Sequence, residues 1–352
     1  MFGFSEALWN QKVPFTPPSM YVLGDSLVDA GNNNDLLRSV SKANFPHYGI
    51  DFPKKTATGR FSNGKIAADF LGEKVGMGIP YPYFSMLFNF SENFHWRDSI
   101  NFASGGAGIY NWTNGMSQSV PLSRQVNYFS SVQKDLRKEL TPHGAYDKLK
   151  SSIFMIVIGS NDIFANSESS KLRNQTTPQQ YLNSMAIQLK EQIKLLYDYY
   201  ARKFVIMGVG LLGCTPTERI KNETKECNIQ LNQWSINYNR ALRSMLKGLK
   251  AEFDDIDYSY FDTYSLMQKI IKNPATFGLE EVKAACCGLG NLNAEGRCQR
   301  TAKYCSNRNN HFFWDAYHPT EKVHRIFVDY MYNGTLHYVY PMNVERLLQV
   351  IN

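Results

Sequence analysis

Covalent catalysis by a side-chain hydroxyl needs a nucleophile, a base and a group that holds developing negative charge. Ser26 is a candidate nucleophile. It follows the apolar run Tyr21-Val22-Leu23 in the stretch Gly24-Asp25-Ser26-Leu27-Val28. A serine where a strand hands over to a turn or helix can present its hydroxyl while its own N–H faces an oxyanion. The simpler reading is an N-cap serine. Val28 breaks the G-x-S-x-G pattern, which occurs nowhere else in the chain, so the α/β-hydrolase elbow is disfavoured.

Among the histidines His47, His95, His143, His311, His318, His324 and His337, His318 stands out because Asp315 lies three residues earlier. A carboxylate at that spacing can hold one imidazole nitrogen and leave the other free for Ser26. Taken alone, His318 reads equally well as a solvated histidine at a helix start. Glu321 and His324 share the spacing but fall inside a predicted amphipathic helix, where they read as a surface pair. Gly105 or Gly106 offers an unshielded backbone N–H and Asn161 a carboxamide, each with an ordinary turn role as its alternative. Asp162 reads as structural. Ser104 to Gly108 lacks the lysine of a phosphate-binding loop, and neither HExxH nor a calcium loop is present.

These residues need a scaffold that brings distant segments together. Tyr21 to Leu23, Ser99 to Phe102, Ile153 to Ile158, Phe204 to Met207 and Tyr258 to Phe261 read as strands. The run Ile153 to Ile158 is apolar throughout, as suits a strand buried on both faces of a parallel sheet. Helices are predicted over 62–75 with Ser62 as cap, from Thr177-Pro178 onward, over 229–253 and over 320–332. The alternation predicts an α/β fold: a three-layer α/β/α sandwich with a mainly parallel central sheet. Candidate residues then gather at the carboxyl ends of the strands. Residues 1–19, with Pro14, Pro17 and Pro18, read as an extended arm; residues 20–352 read as a single domain with a cysteine-rich loop at 286–305.

Composition narrows the classes. The 352 residues are 43% hydrophobic and 20% charged, which excludes a disordered chain. The net charge of +7 is spread without a basic run, so nucleic acid and anionic membrane partners are not expected. No apolar run approaches the roughly 18 residues of a membrane span. Cys214, Cys227, Cys286, Cys287, Cys298 and Cys305 show no CxxC spacing and no histidine at zinc-finger spacing, so no metal site is expected. Cys214 and Cys227 bracket a segment that could close as one disulfide loop; the other four allow two bridges in three connectivities. N-x-S/T sequons stand at Asn89, Asn111, Asn174, Asn222 and Asn333. Together with clustered cysteines they favour a secreted or vacuolar protein, although Met1 to Ser19 has no signal-peptide pattern. The aromatic content of 14% is high, and the stretch from Tyr81 to Trp96 is expected to supply an apolar pocket wall.

Seven stretches, in order, carry a more specific resemblance. They are Leu23 to Asn34, Thr58 to Lys65, Asn101 to Gly108, Ile158 to Asp162, Leu212 to Pro216, Cys286 to Gly288 and Phe313 to Glu321. The chain resembles plant-type GDSL esterase/lipases of the SGNH hydrolase superfamily. The resemblance implies Ser26 as nucleophile, Asp315 and His318 as the rest of the triad, and Ser26 N–H, a glycine (Gly105 preferred, Gly106 open) and Asn161 as oxyanion hole. It also implies no metal or organic cofactor, and export with glycosylation. Leu23 and Leu211 stand where such proteins usually have Phe and Pro. These departures leave the triad positions intact and bear on the acyl pocket.

The expected activity is hydrolysis of small-molecule or lipid-like acyl esters through an acyl-serine intermediate. An acyltransferase that passes the acyl group to an alcohol acceptor in specialised or cuticle metabolism would use the same triad. A catalytically silent binding protein on this scaffold is the alternative of another class, and the intact Ser26, Asp315 and His318 argue against it.

Overall fold

A computed structural model describes residues 17–88 and 98–350. Seven strands form one sheet. Six are parallel: β1 (Met20–Gly24), β2 (Tyr81–Pro82), β3 (Ile100–Asn101), β4 (Ile153–Val157), β5 (Lys203–Met207) and β6 (Asp257–Phe261). The seventh, Val339–Tyr340, pairs antiparallel with β6. From edge to edge the order is Val339–Tyr340, β6, β5, β4, β1, β3, β2.

Side-chain alternation explains the layers. Tyr21 and Leu23 of β1 point into one core with the helices Leu122–Ser151, Pro178–Asp198 and Ile229–Glu252. Met20 and Val22 point into the other, with the helices Ala67–Lys74, Thr263–Lys272 and Glu321–Asn333. All five residues of β1, β4, β5 and β6 are buried, as a sheet covered on both faces requires. The expected three-layer α/β/α sandwich is therefore the observed fold.

Some local predictions shift. The helix expected over 62–75 begins at Ala67, and Ser62 is not its cap; the Asp69 carboxylate accepts the Ile66 N–H at 2.9 Å instead. Ser62 is buried and directs its hydroxyl to the Pro319 carbonyl. The helix from Pro178 carries the expected cap, with Thr177 Oγ1 accepting the Gln180 N–H. The Leu122–Ser151 helix is not among those expected, and it is interrupted at Thr141, just before Pro142.

The cysteines pair as Cys214–Cys227, Cys286–Cys305 and Cys287–Cys298. The first is the loop expected; the other two settle the three-way choice. Asn111, Asn174 and Asn333 are exposed and Asn222 is half-buried, whereas Asn89 lies outside the described residues. So do residues 1–16 of the expected arm and much of the aromatic stretch from Tyr81 to Trp96. Among the described residues no helix is long and apolar enough to cross a membrane.

Candidate active site

Parallel strands end on the same edge, and here the ends of β1, β3 and β4 lie side by side. Gly24 closes β1 where it passes β4 so tightly that a Cβ would sit 2.2 Å from the Val157 carbonyl oxygen. Asp25 and Ser26 follow at once. Asp25 Oδ1 accepts the Leu27 N–H at 3.0 Å, which fixes the turn that presents Ser26.

The candidate acid and base come from the other end of the chain. Trp314 N–H donates to the His318 carbonyl at 2.7 Å, closing a tight turn after the strand His311–Phe313. Inside it, Asp315 Oδ1 accepts the Tyr317 and His318 N–H groups at 2.9 and 2.8 Å. The same carboxylate meets His318 Nδ1 at 2.8 and 2.9 Å. His318 Nε2 then lies 2.7 Å from Ser26 Oγ. The three side chains singled out in the sequence thus form one connected line, and the solvated reading of His318 fails, since its side chain is 12% exposed.

Electrostatics favour an ionised Asp315. Burial pushes its carboxyl upward, but the His318 charge and the donated hydrogen bonds outweigh burial and hold it below the usual range. Asp25 behaves differently. Burial raises it to about 7, and its Oδ2 has no hydrogen-bond partner. Next to the base, His324 is buried with both ring nitrogens unpartnered; burial, then His318, lower it to about 3. The Glu321–His324 surface pair is therefore a misreading, because the helix turns His324 inward.

The expected oxyanion donors separate. Gly105 N–H donates to Asp29 Oδ2 at 2.8 Å, so that amide is already engaged. Gly106, with φ of +83°, lines the cavity with Ser26, Asn161 and His318. The left-handed backbone there favours glycine. Asn161 uses one amide hydrogen to reach the Ala107 carbonyl at 2.9 Å, which aims the carboxamide and leaves the second hydrogen for a ligand. Asp162 is structural: it accepts from Ile109 N–H, Tyr110 N–H and Thr113 Oγ1.

The turns are stapled by a run of asparagines. Asn32 Nδ2 donates to the Asn101 and Ala103 carbonyls, Asn33 Nδ2 to the Ser41 and Gly105 carbonyls, and Asn34 Nδ2 to the Thr58 carbonyl. Asp29, raised by burial to about 6, binds the Gly31, Asn32 and Gly105 N–H groups. Sequence reasoning missed these roles. A dense run of amide side chains in a turn was the available signal.

Ser26 opens into a cavity of about 450 Å³. Its buried lining is apolar, with Met207, Leu211, Met267, Phe313 and Phe327; its more exposed lining is mixed, with Lys42, Phe45, Phe164, Glu168 and Arg297. The described part of the Tyr81–Trp96 stretch does not line it. Tyr83 and Phe84 pack into the core against Phe102 and Tyr128 instead. Two aromatic neighbours went unnoticed in the sequence: Phe61, whose ring centre is 5.0 Å from that of His318, and Tyr48, whose hydroxyl donates to Asp315 Oδ2 at 2.7 Å.

Comparison with known proteins gives the family. Residues 20–331 match the family described as GDSL-like Lipase/Acylhydrolase. A GDSL esterase/lipase of Arabidopsis thaliana is 49% identical over 338 residues, covering 94% of this chain and 90% of that protein. Another from the same plant is 37% identical over 342 residues, covering 93% and 90%. Among solved structures, an acetylxylan esterase from Geobacillus stearothermophilus aligns with a TM-score of 0.38 and 13% identity, covering 90% of this chain and 93% of that one.

Proposed function

Since this chain belongs to the GDSL-like lipase/acylhydrolase family, and so is an esterase or lipase, we propose that it cleaves carboxylic esters through an acyl-serine intermediate. The observation that carries this reading is the unbroken line from Asp315 through His318 to Ser26 Oγ. His318 Nε2 takes the hydroxyl proton as Ser26 Oγ attacks the ester carbonyl carbon. The carbonyl oxygen becomes an oxyanion, to which Ser26 N–H, Gly106 N–H and the Asn161 carboxamide donate. Asp315 stabilises the imidazolium and keeps its Nδ1–H oriented. The intermediate collapses, the C–O bond to the alcohol breaks, and His318 protonates the departing alkoxide. Water then gives a proton to His318, its oxygen attacks the acyl carbon, and Ser26 leaves with that proton as the acid is released.

The apolar inner part of the cavity suits the acyl chain, and the mixed outer part suits the alcohol. This supports small-molecule or lipid-like esters as substrates. Three disulfides and exposed sequon asparagines support an exported, glycosylated protein.

An ester panel read by mass, with and without alcohol acceptors, tests the reaction. Free acid at an acceptor-independent rate supports hydrolysis. A new ester formed at the expense of acid replaces it with acyl transfer. A fluorophosphonate probe should label the parent and not Ser26→Ala; labelling that survives the substitution removes Ser26 as nucleophile.

A further inference from the structure

Asp315 has one more donor than the turn that carries it provides. Its Oδ1 is served by the local N–H groups of Tyr317 and His318, and the imidazole lies across both oxygens. Oδ2 receives a further hydrogen bond from Tyr48, at 2.7 Å and 267 residues away in sequence. Tyr48 is 7% exposed, and its ring is set edge-on to Phe45, Phe61 and Trp314 at 5.4, 6.1 and 6.2 Å. Phe61 in turn packs on the His318 ring. The phenol therefore has one orientation, toward the carboxylate.

We infer that Tyr48 is a positioning residue that sets the strength of the Asp315 carboxylate as a partner for His318. This deepens the esterase reading and rests on it. A phenol facing a carboxylate must donate, and burial followed by the Asp315 charge keeps its proton on, well above the usual tyrosine range. The donated bond draws charge from Oδ2 and stops the carboxylate from rotating. With Tyr48 in place, the carboxylate supports the imidazolium less strongly but always in the same geometry. The segment carrying Tyr48 also supplies Lys42 and Phe45 to the cavity wall, so the substrate wall and the acid are tied together.

Other groups face this pair. Asp25 at the end of β1 and His324 on the Glu321–Asn333 helix both act electrostatically on or through His318, and Arg297 of the cysteine-rich loop acts on Tyr48. Asp25, raised by burial to about 7, would itself contribute to a pH profile, so a profile alone would mix two groups. The His318 Nδ1–H proton resonance reports the Asp315 contact directly.

The test is Tyr48→Phe, which keeps the ring and removes only the hydroxyl. In this variant the low-field Nδ1–H resonance of His318 should move further downfield, because Asp315 becomes the stronger acceptor. The acidic limb of kcat/KM should move to higher pH. The plateau kcat should fall roughly tenfold as the carboxylate loses a charge-assisted bond. An unmoved resonance overturns the proposal whatever the activity does. Phe45→Leu trims the same ring cluster without touching Asp315; an equal shift there would make the effect one of packing and overturn it too. Should Tyr48→Phe fail to fold, replacement of Tyr48 by a ring-fluorinated tyrosine, a stronger donor, must move the resonance the opposite way. The NMR arm is repeated on Ser26→Ala, which cannot turn over. A shift there, together with a parent protein that hydrolyses no ester of the panel, keeps the Tyr48 contact and removes the esterase reading.

Discussion

Two acid–histidine pairs with the same spacing stand in neighbouring stretches, and they behave in opposite ways. Asp315 and His318 occupy a tight turn closed by the Trp314–His318 backbone bond, so both side chains face each other and Ser26. Glu321 and His324 occupy the first turn of the Glu321–Asn333 helix. There the glutamate lies against Gly64, while the histidine is turned into the core without a partner. Separation by three residues therefore does not make a dyad. Backbone conformation decides whether the two side chains meet, and burial then decides which group keeps a charge.

The comparison can be broken most sharply at Asp315. Asp315→Asn should fold as the parent does and lose about 10,000-fold in kcat on a model ester, since the imidazole would lose its charge partner and its tautomer. A variant that retains half the parental rate would erase the distinction between the two pairs. Asn161→Ala comes next, with an expected loss of about 100- to 1000-fold in kcat and little change in KM, as for one missing oxyanion donor. A rise in KM alone would make Asn161 a ground-state contact.

The second pair should speak through stability. His324 is neutral when folded, its value lowered from 6.5 to about 3, while the unfolded chain takes up a proton below about 6.5. The unfolded state then binds more protons, so stability from this site falls as pH drops through that window, by up to about 1.4 kcal/mol per pH unit. Asp25, Asp29 and Asp162, raised by burial to about 7, 6 and 6, act with the opposite sign: the fold holds the extra protons, and stability rises as pH falls. His324→Met removes only the first contribution. Urea unfolding at pH 7 and pH 4.5 should show the variant gaining on the parent at the lower pH; parallel losses would refute the neutral buried histidine. Glu321→Gln should have the smallest effect, with turnover within about twofold of the parent in a steady-state assay.

What the sequence could disclose follows from how local each cause is. The inner strands were legible because β4 is a continuous apolar run and β5 is one after Lys203, whereas the two-residue strands Tyr81–Pro82 and Val339–Tyr340 are too short to leave such a pattern. Ser26, His318 and Asp315 were legible as candidates because their motifs are short. The preference for Gly105 over Gly106 could not take into account that the Gly105 N–H is bound to Asp29, 76 residues away. His324 was misread because helical spacing alone does not say which face is covered. The Leu122–Ser151 helix escaped because its polar residues dilute the periodicity and Pro142 reads as a break. Tyr48 escaped because its partner lies at the far end of the chain.

The run Asn32-Asn33-Asn34 has one more consequence. Asn32 and Asn33 both hold the turn after β3, Asn33 also holds the Ser41 segment, and Asn34 holds the Thr58 segment. Those loops frame the site before any ester arrives. Little of the affinity for a substrate is then consumed in ordering the walls that receive it. Such a receptor discriminates by fit to a fixed outline rather than by closing around its guest.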